Sequence, residues 1–117
     1  MSVRTIAIRT AADGTFTYER SFRGEIRALE LQIGDLSTPD IDVTDDTYSK
    51  TLLSVNGVAA DTVWLPSDFL QAADATTAAL VGTAMKGATS AVVMGVLKVA
   101  ITGGGDTKRG RLIVLYD

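Results

Sequence analysis

Several groups of residues have types and spacings that could support chemistry, and the glycine-rich segment 103–108 is the most conspicuous. Its sequence, Gly-Gly-Gly-Asp-Thr-Lys, has the composition of a loop that cradles phosphate. A Walker loop, however, places its lysine and Ser/Thr at a strand-to-helix junction, after two glycines separated by four residues. Here the pattern predicts a strand after the loop. The segment is therefore interpreted as a flexible hairpin loop.

Acidic residues are the second candidate for chemistry. Asp40, Asp42, Asp45 and Asp46 lie close together and could bind calcium. In an EF-hand loop counted from Asp40, however, Asp45 would occupy the glycine position and Thr51 the glutamate position. A solvated acidic strand face is the favoured interpretation. A glycosidase pair drawn from Glu19, Glu25, Glu30 and Asp35 is disfavoured because no spacing brings two of them together.

The composition excludes whole classes of function. The chain has no cysteine and no histidine, so disulfides, thiolate metal sites and Ser-His-Asp or Cys-His catalysis are absent. Its net charge is −3, which disfavours nucleic-acid binding because phosphate neutralisation supplies most of that affinity. Neither a signal peptide nor a membrane-spanning run is recognised. We expect a protein made in the cytoplasm that is not an enzyme and needs no cofactor or membrane.

Period-two alternation of apolar and polar residues predicts a single all-β domain over residues 1–117, an antiparallel sandwich or small barrel of about seven or eight short strands. Hairpins are expected between 3–10 and 16–22, between 40–46 and 48–55, and between 96–101 and 111–116. A break at Arg23-Gly24 is also expected, and the change of phase between Ala28 and Leu29 predicts a β-bulge or a strand buried on both faces. The last strand is apolar on both faces, so it should be central or covered by another element.

The segment 67–95, rich in Ala, Thr and Gly, is predicted to be a long loop or arm, with Ser67 able to cap a short helix. Two groups of basic residues, Arg20, Arg23 and Arg27 and Lys108, Arg109 and Arg111, are interpreted first as solvated strand ends. The alternative is that they form ion pairs with acidic patches on a neighbouring copy or on a protein partner. The residues predicted to bind partners are Phe69, Leu80, Val81, Met85, Arg23 and Arg109.

Aromatic side chains allow one alternative from a different functional class. Trp64, Phe69 and Tyr48 could form a platform on which sugars stack, which would make the chain a carbohydrate-binding module. Scattered aromatic residues in β domains more often belong to the core. The core interpretation is preferred, and the carbohydrate alternative stays open.

Three segments carry a resemblance to a known group of proteins. They are IRAL followed by IGDLS at 26–37, VNGVAADTVWLP at 55–66 and VLKVAITGGGDTKRG at 96–110. Together they resemble small structural proteins of tailed bacteriophages. The resemblance implies a β-rich virion component, most plausibly a capsid decoration (cement) protein on the capsid surface. Its partners would be the major capsid protein and copies of itself, with a trimer favoured. A neck, tail or fibre-base protein is the nearest alternative.

Overall fold

A computed structural model describes residues 1–69 and 91–117, and its fold is all-β and antiparallel, as the alternation predicted. The one helical element in these residues is a 3-10 turn at Pro66–Asp68. No helix in the described part of the chain is long and apolar enough to cross a membrane. The strands are β1 (Ser2–Arg9), β2 (Phe16–Gln32), β3 (Asp40–Asp45), β4 (Lys50–Val55), β5 (Thr62–Trp64), β6 (Val92–Thr102) and β7 (Arg109–Tyr116).

The strands form two sheets that share β2. The first sheet has the order β1-β7-β2-β5, and the second has the order β2-β6-β3-β4. Residues 16–25 of β2 pair with β6, whereas residues 26–32 pair with β7 and β5. One long strand therefore passes from one sheet into the other and connects them through its own backbone.

β2 crosses from one sheet to the other between Glu25 and Ile26, immediately after Gly24. A Cβ atom on Gly24 would lie 2.6 Å from the carbonyl oxygen of Asp117, so the chain passes too close for a side chain. A register shift between Ile26 and Ala28 follows, which confirms the expected bulge slightly earlier than predicted. The expected break at Arg23-Gly24 is wrong, because β2 continues through it while changing sheets.

Two of the three predicted hairpins are wrong. β6 and β7 are not neighbours, because β2 lies between them, and β1 pairs with β7 rather than with β2. The 103–108 segment and the turn after β1 are therefore connections between sheets. A local turn signal cannot distinguish such a connection from a hairpin. The β3–β4 hairpin and the central position of β7 are both confirmed.

The core lies between the inner faces of the two sheets. Ile6, Leu29 and Leu112 face it from the first sheet, and Leu97 and Ile41 face it from the second.

A register shift in the β3–β4 pair corrects two details of the prediction. It lies between Val43 and Thr44, and both Leu52 and Leu53 are buried, although strict alternation would turn one of them outward. Asp45 was expected to be solvated, but it is buried, and its Oδ1 accepts a hydrogen bond from the Thr47 amide.

The segment 67–95 was predicted to be a long loop or arm, with a short helix capped by Ser67. Most of this segment lies outside the described residues, and so do the predicted contact residues Leu80, Val81 and Met85. Ser67 does not cap a helix. It lies within the 3-10 turn, and the Asp68 carboxylate accepts the Leu65 amide at 2.9 Å.

Candidate functional site

The glycine-rich connection 103–108 is held by hydrogen bonds at one end of the sandwich. Thr10, which is 2 % exposed, donates its hydroxyl to the Gly105 carbonyl at 2.6 Å and accepts the Lys108 amide at 2.8 Å. The Gly104 amide donates to the Gly14 carbonyl at 3.0 Å. Because several of its amides already have partners, the connection works as a structural junction rather than as a phosphate cradle.

The outer surface of the first sheet begins immediately after this junction, and it carries three arginines. Arg9 lies directly opposite Arg109 in the β1–β7 pair, and Arg111 lies opposite Ala7, one step along the same face. Directly opposed like charges disfavour strand pairing. We call this surface the arginine face; its outward-directed residues are Val3, Thr5, Ala7, Arg9, Ala28, Glu30, Gln32, Val63, Arg109, Arg111, Ile113 and Leu115.

These three arginines are among the cations of the described chain that form no ion pair, as are Arg4, Arg20, Arg23, Lys50 and Lys108. Within residues 1–69 and 91–117, neither Arg9 nor Arg109 nor Arg111 lies within 4.0 Å of a carboxylate oxygen. By contrast, Arg27 contacts the Asp117 carboxylate at 2.8 Å, and its hydrogen bond holds the pKa of Asp117 below the usual value. The arginine face thus carries three arginines without a close ion pair, although Glu30 lies on the same face and Asp61 lines the adjoining cleft.

The other half of the arginine face is apolar. Val3 and Val63 are 60 % and 54 % exposed, and Ile113 and Leu115 are partly exposed. Apolar side chains beside arginines, with few lysines or acids, are typical of protein–protein interfaces. A shallow open cleft of about 320 Å³ adjoins the basic end, lined by Gln32, Gly34, Asp61, Arg109, Gly110 and Arg111.

The open side of β1 borders the arginine face. β1 pairs with β7 alone among the strands described. The Thr10 amide donates to the Lys108 carbonyl, which places the even-numbered residues in the hydrogen-bonded positions of this ladder. The backbone groups of Val3, Thr5 and Ala7 therefore point to the open side. Such an edge can accept another strand.

The outer surface of the second sheet has a different charge distribution. Asp40 and Asp42 lie at one end, where the Ser54 hydroxyl and the Gly57 amide donate to their carboxylates. Val92 and Met94, 39 % and 54 % exposed, lie toward the other end. We call this surface the acidic face; its outward-directed residues are Thr17, Glu19, Ser21, Arg23, Asp40, Asp42, Thr44, Ser54, Val92, Met94, Val96, Lys98, Ala100 and Thr102.

The structure separates the predicted partner-binding residues. Arg109 lies on the arginine face, whereas Arg23 lies beside Met94 on the acidic face. Phe69 is wrong as a contact residue, because it is fully buried in the core. Trp64 is also buried and only Tyr48 is exposed, so these three rings form no common exposed platform.

Arg9 was missed by sequence reasoning, although it completes the arginine face. Thr5, Ala7 and Arg9 lie on one side of β1, as the alternation of a strand requires. β1 pairs with β7, however, and these strands lie at opposite ends of the chain. A pattern within either strand cannot predict this pairing.

The acidic residues Asp40, Asp42, Asp45 and Asp46 were considered as a calcium site. In the described segments, no three carboxylates come together in a way that could hold a metal ion. Comparison with known proteins gives no assignment either: no family model matches the chain, and no curated protein sequence matches it.

Proposed function

We propose that this protein is a non-enzymatic structural component of a tailed-bacteriophage virion, a capsid decoration protein that binds and stabilises the shell of major capsid protein. Three sequence segments resemble such proteins, within 26–37, 55–66 and 96–110. The structural observation that carries the proposal is the open edge of β1, whose free backbone groups suit pairing with a strand of another protein.

The open side of β1 supports a specific way of attaching to a shell. An extended segment of capsid protein would pair with the free backbone groups of Val3, Thr5 and Ala7, continuing the first sheet. Each such contact is modest, but repetition over a shell makes the combined attachment strong. A decoration protein needs this kind of contact and needs no reaction centre.

Quantitative mass spectrometry of purified virions tests the proposal. A decoration protein is repeated over the lattice, so on the order of hundreds of copies per particle are expected. About a dozen copies or fewer would instead indicate a neck, tail or fibre-base component. Absence from particles would contradict the whole proposal.

Attachment through β1 can be tested with Thr5→Pro, which removes an amide on the open side while leaving the β7 ladder intact. Binding to purified shells should weaken about tenfold or more, because a hydrogen bond is lost and the proline ring obstructs the added strand. Thr5→Ala, the matched control, should bind like the natural protein. Equal binding of both variants would exclude this edge.

A further inference from the structure

The arginine face and the acidic face have complementary patterns. Each face has a charged end and a more apolar end. On the arginine face, the charged end holds Arg9, Arg109 and Arg111, and the apolar end holds Ile113 and Leu115. On the acidic face, Asp40 and Asp42 lie at one end, and Val92 and Met94 lie toward the other, where Arg23 is opposite Met94. Lys98, between these ends, is ion-paired with Glu19. We propose that the arginine face of one copy docks on the acidic face of a second copy of this chain. This inference deepens the proposed function and rests on it for its biological setting.

The two charged ends lie at the same end of the sandwich, which makes the docking geometrically simple. The 103–108 connection joins Thr102, at the end of β6, to Arg109, at the start of β7. Asp40 pairs with Thr102 and therefore lies at this end as well. Two copies stacked in similar orientations would bring arginines over aspartates and Ile113 and Leu115 over the apolar half of the acidic face.

Charge favours a second copy over nucleic acid as the occupant of the arginine face. Glu30 lies on the face and Asp61 lines the adjoining cleft, and both would repel phosphates. Exposed Val3 and Val63 have no use in phosphate binding, but they can be buried against Val92 and Met94. The acidic face supplies carboxylates and apolar side chains together.

The size of the faces sets the expected strength. Four strands at about 4.8 Å spacing and eight residues at about 3.3 Å give a face of roughly 19 by 26 Å. This footprint is smaller than the roughly 800 Å² per partner of a standard stable interface. A single contact should therefore be weak, with a dissociation constant in the micromolar range or above. Because the two surfaces differ, successive contacts form a ring only where the rotation between copies closes, and an open stack where the orientations stay similar.

Sedimentation equilibrium over a series of protein concentrations tests the inference through charge reversal. The natural protein should form species heavier than the 12.3 kDa monomer, and added salt should dissociate them. Arg111→Glu and Asp42→Arg should each weaken association about tenfold. The double variant Arg111→Glu/Asp42→Arg, in which both charges are exchanged, should recover most of the loss. Arg20→Glu, an exposed arginine on neither face, is the matched control.

Three results would overturn the inference. They are a natural protein that stays monomeric at every concentration, association that ignores both single reversals, and a double variant that remains as weak as the single ones. Loss of folding cannot imitate rescue, because a misfolded single variant would not recover when a second charge is reversed. Each variant is first compared with the natural protein by its thermal unfolding midpoint.

Two further measurements identify the occupant if it is not a second copy. A monomeric protein whose binding to capsid shells is lost in Arg111→Glu would place the shell on the arginine face, contradicting the inference while supporting the proposed function. Binding of a labelled single-stranded oligonucleotide that is lost in Arg111→Glu would instead assign the face to nucleic acid. Self-association without any presence in virions would uphold the docking and contradict the proposed function.

Discussion

The glycine-rich connection 103–108 and the arginine face that starts at Arg109 are consecutive in the chain, yet they satisfy their polar groups in different ways. In the connection, the hydroxyl of Thr10 and the amides of Gly104 and Lys108 find partners within the protein. On the face, three guanidinium groups have no ion pair in the described structure. The first region is stabilised by hydrogen bonds within the protein. In the second, Arg9 and Arg109 repel each other across the β1–β7 pair, and carboxylates of a partner could reduce that repulsion.

By composition, the glycine-rich segment 103–108 is the more conspicuous candidate for binding a ligand. The glycines have the composition of a phosphate-binding loop, but the close approach of two loops explains Gly104. A Cβ atom on Gly104 would lie 2.8 Å from the Thr10 methyl group, and one on Gly14 would lie 3.1 Å from the Gly105 amide nitrogen. The strand that follows carries Arg109 and Arg111, which are exposed and form no ion pair in the described residues.

The largest expected effect is a loss of stability on Gly34→Ala, beside the junction. Gly34 has φ of +54°, and an added Cβ would collide with the backbone carbonyl oxygen of Arg109. Strain and collision together should lower the free energy of unfolding by about 3 kcal/mol. Gly57→Ala is the matched control: its φ is +65°, but nothing lies within 4 Å, so about 1 kcal/mol is expected. Chemical denaturation measures both, and equal losses would show that the junction is not tightly packed.

Thr10→Val should have the next largest effect, because it removes the hydroxyl that joins the two ends of the chain. The Gly105 carbonyl and the Lys108 amide would each lose a partner next to a buried site. A loss of about 2 kcal/mol in the free energy of unfolding is expected. Thr17→Val, at an exposed position of β2, should change it by less than about 0.5 kcal/mol. A small effect of Thr10→Val would contradict the structural role given to this threonine.

Strand positions were predictable because alternation is a local property. The predicted strand 40–46 matches β3 (Asp40–Asp45). The run 111–116 has apolar residues on both faces, and it forms β7, which lies between β1 and β2. Strand pairing was not predictable, because β2 pairs with β6 and β7 through contacts distant in sequence. For the same reason the sequence pointed to Arg109 but could not show that Arg9 lies opposite it.

Arg9→Thr should affect stability and self-association in opposite directions. Removing one of two directly opposed cations relieves repulsion, so the free energy of unfolding should rise by about 0.5 kcal/mol. Self-association should weaken in the same variant because a charge for the acidic face is lost. Chemical denaturation and sedimentation are measured on one preparation. A clear loss of stability would mean that Arg9 serves the fold.

The smallest expected effect concerns the ion pair of Arg27 with Asp117. Hydrogen bonding from Arg27 lowers the pKa of the Asp117 carboxyl, so this pair stabilises the protein above the ordinary aspartate pKa. That stabilisation is lost as the pH falls through the lowered value. Asp117→Asn should therefore be slightly less stable at neutral pH and equal to the natural protein near pH 2. Denaturation across this range checks it; a difference that grows in acid would have the wrong sign.

The most direct test of the central claim combines two measurements on Arg111→Glu. The claim is that the arginine face serves contact with a partner rather than the fold. The free energy of unfolding should stay within about 0.5 kcal/mol of that of the natural protein, while self-association weakens about tenfold. A variant that loses stability but associates as strongly as the natural protein would contradict the claim.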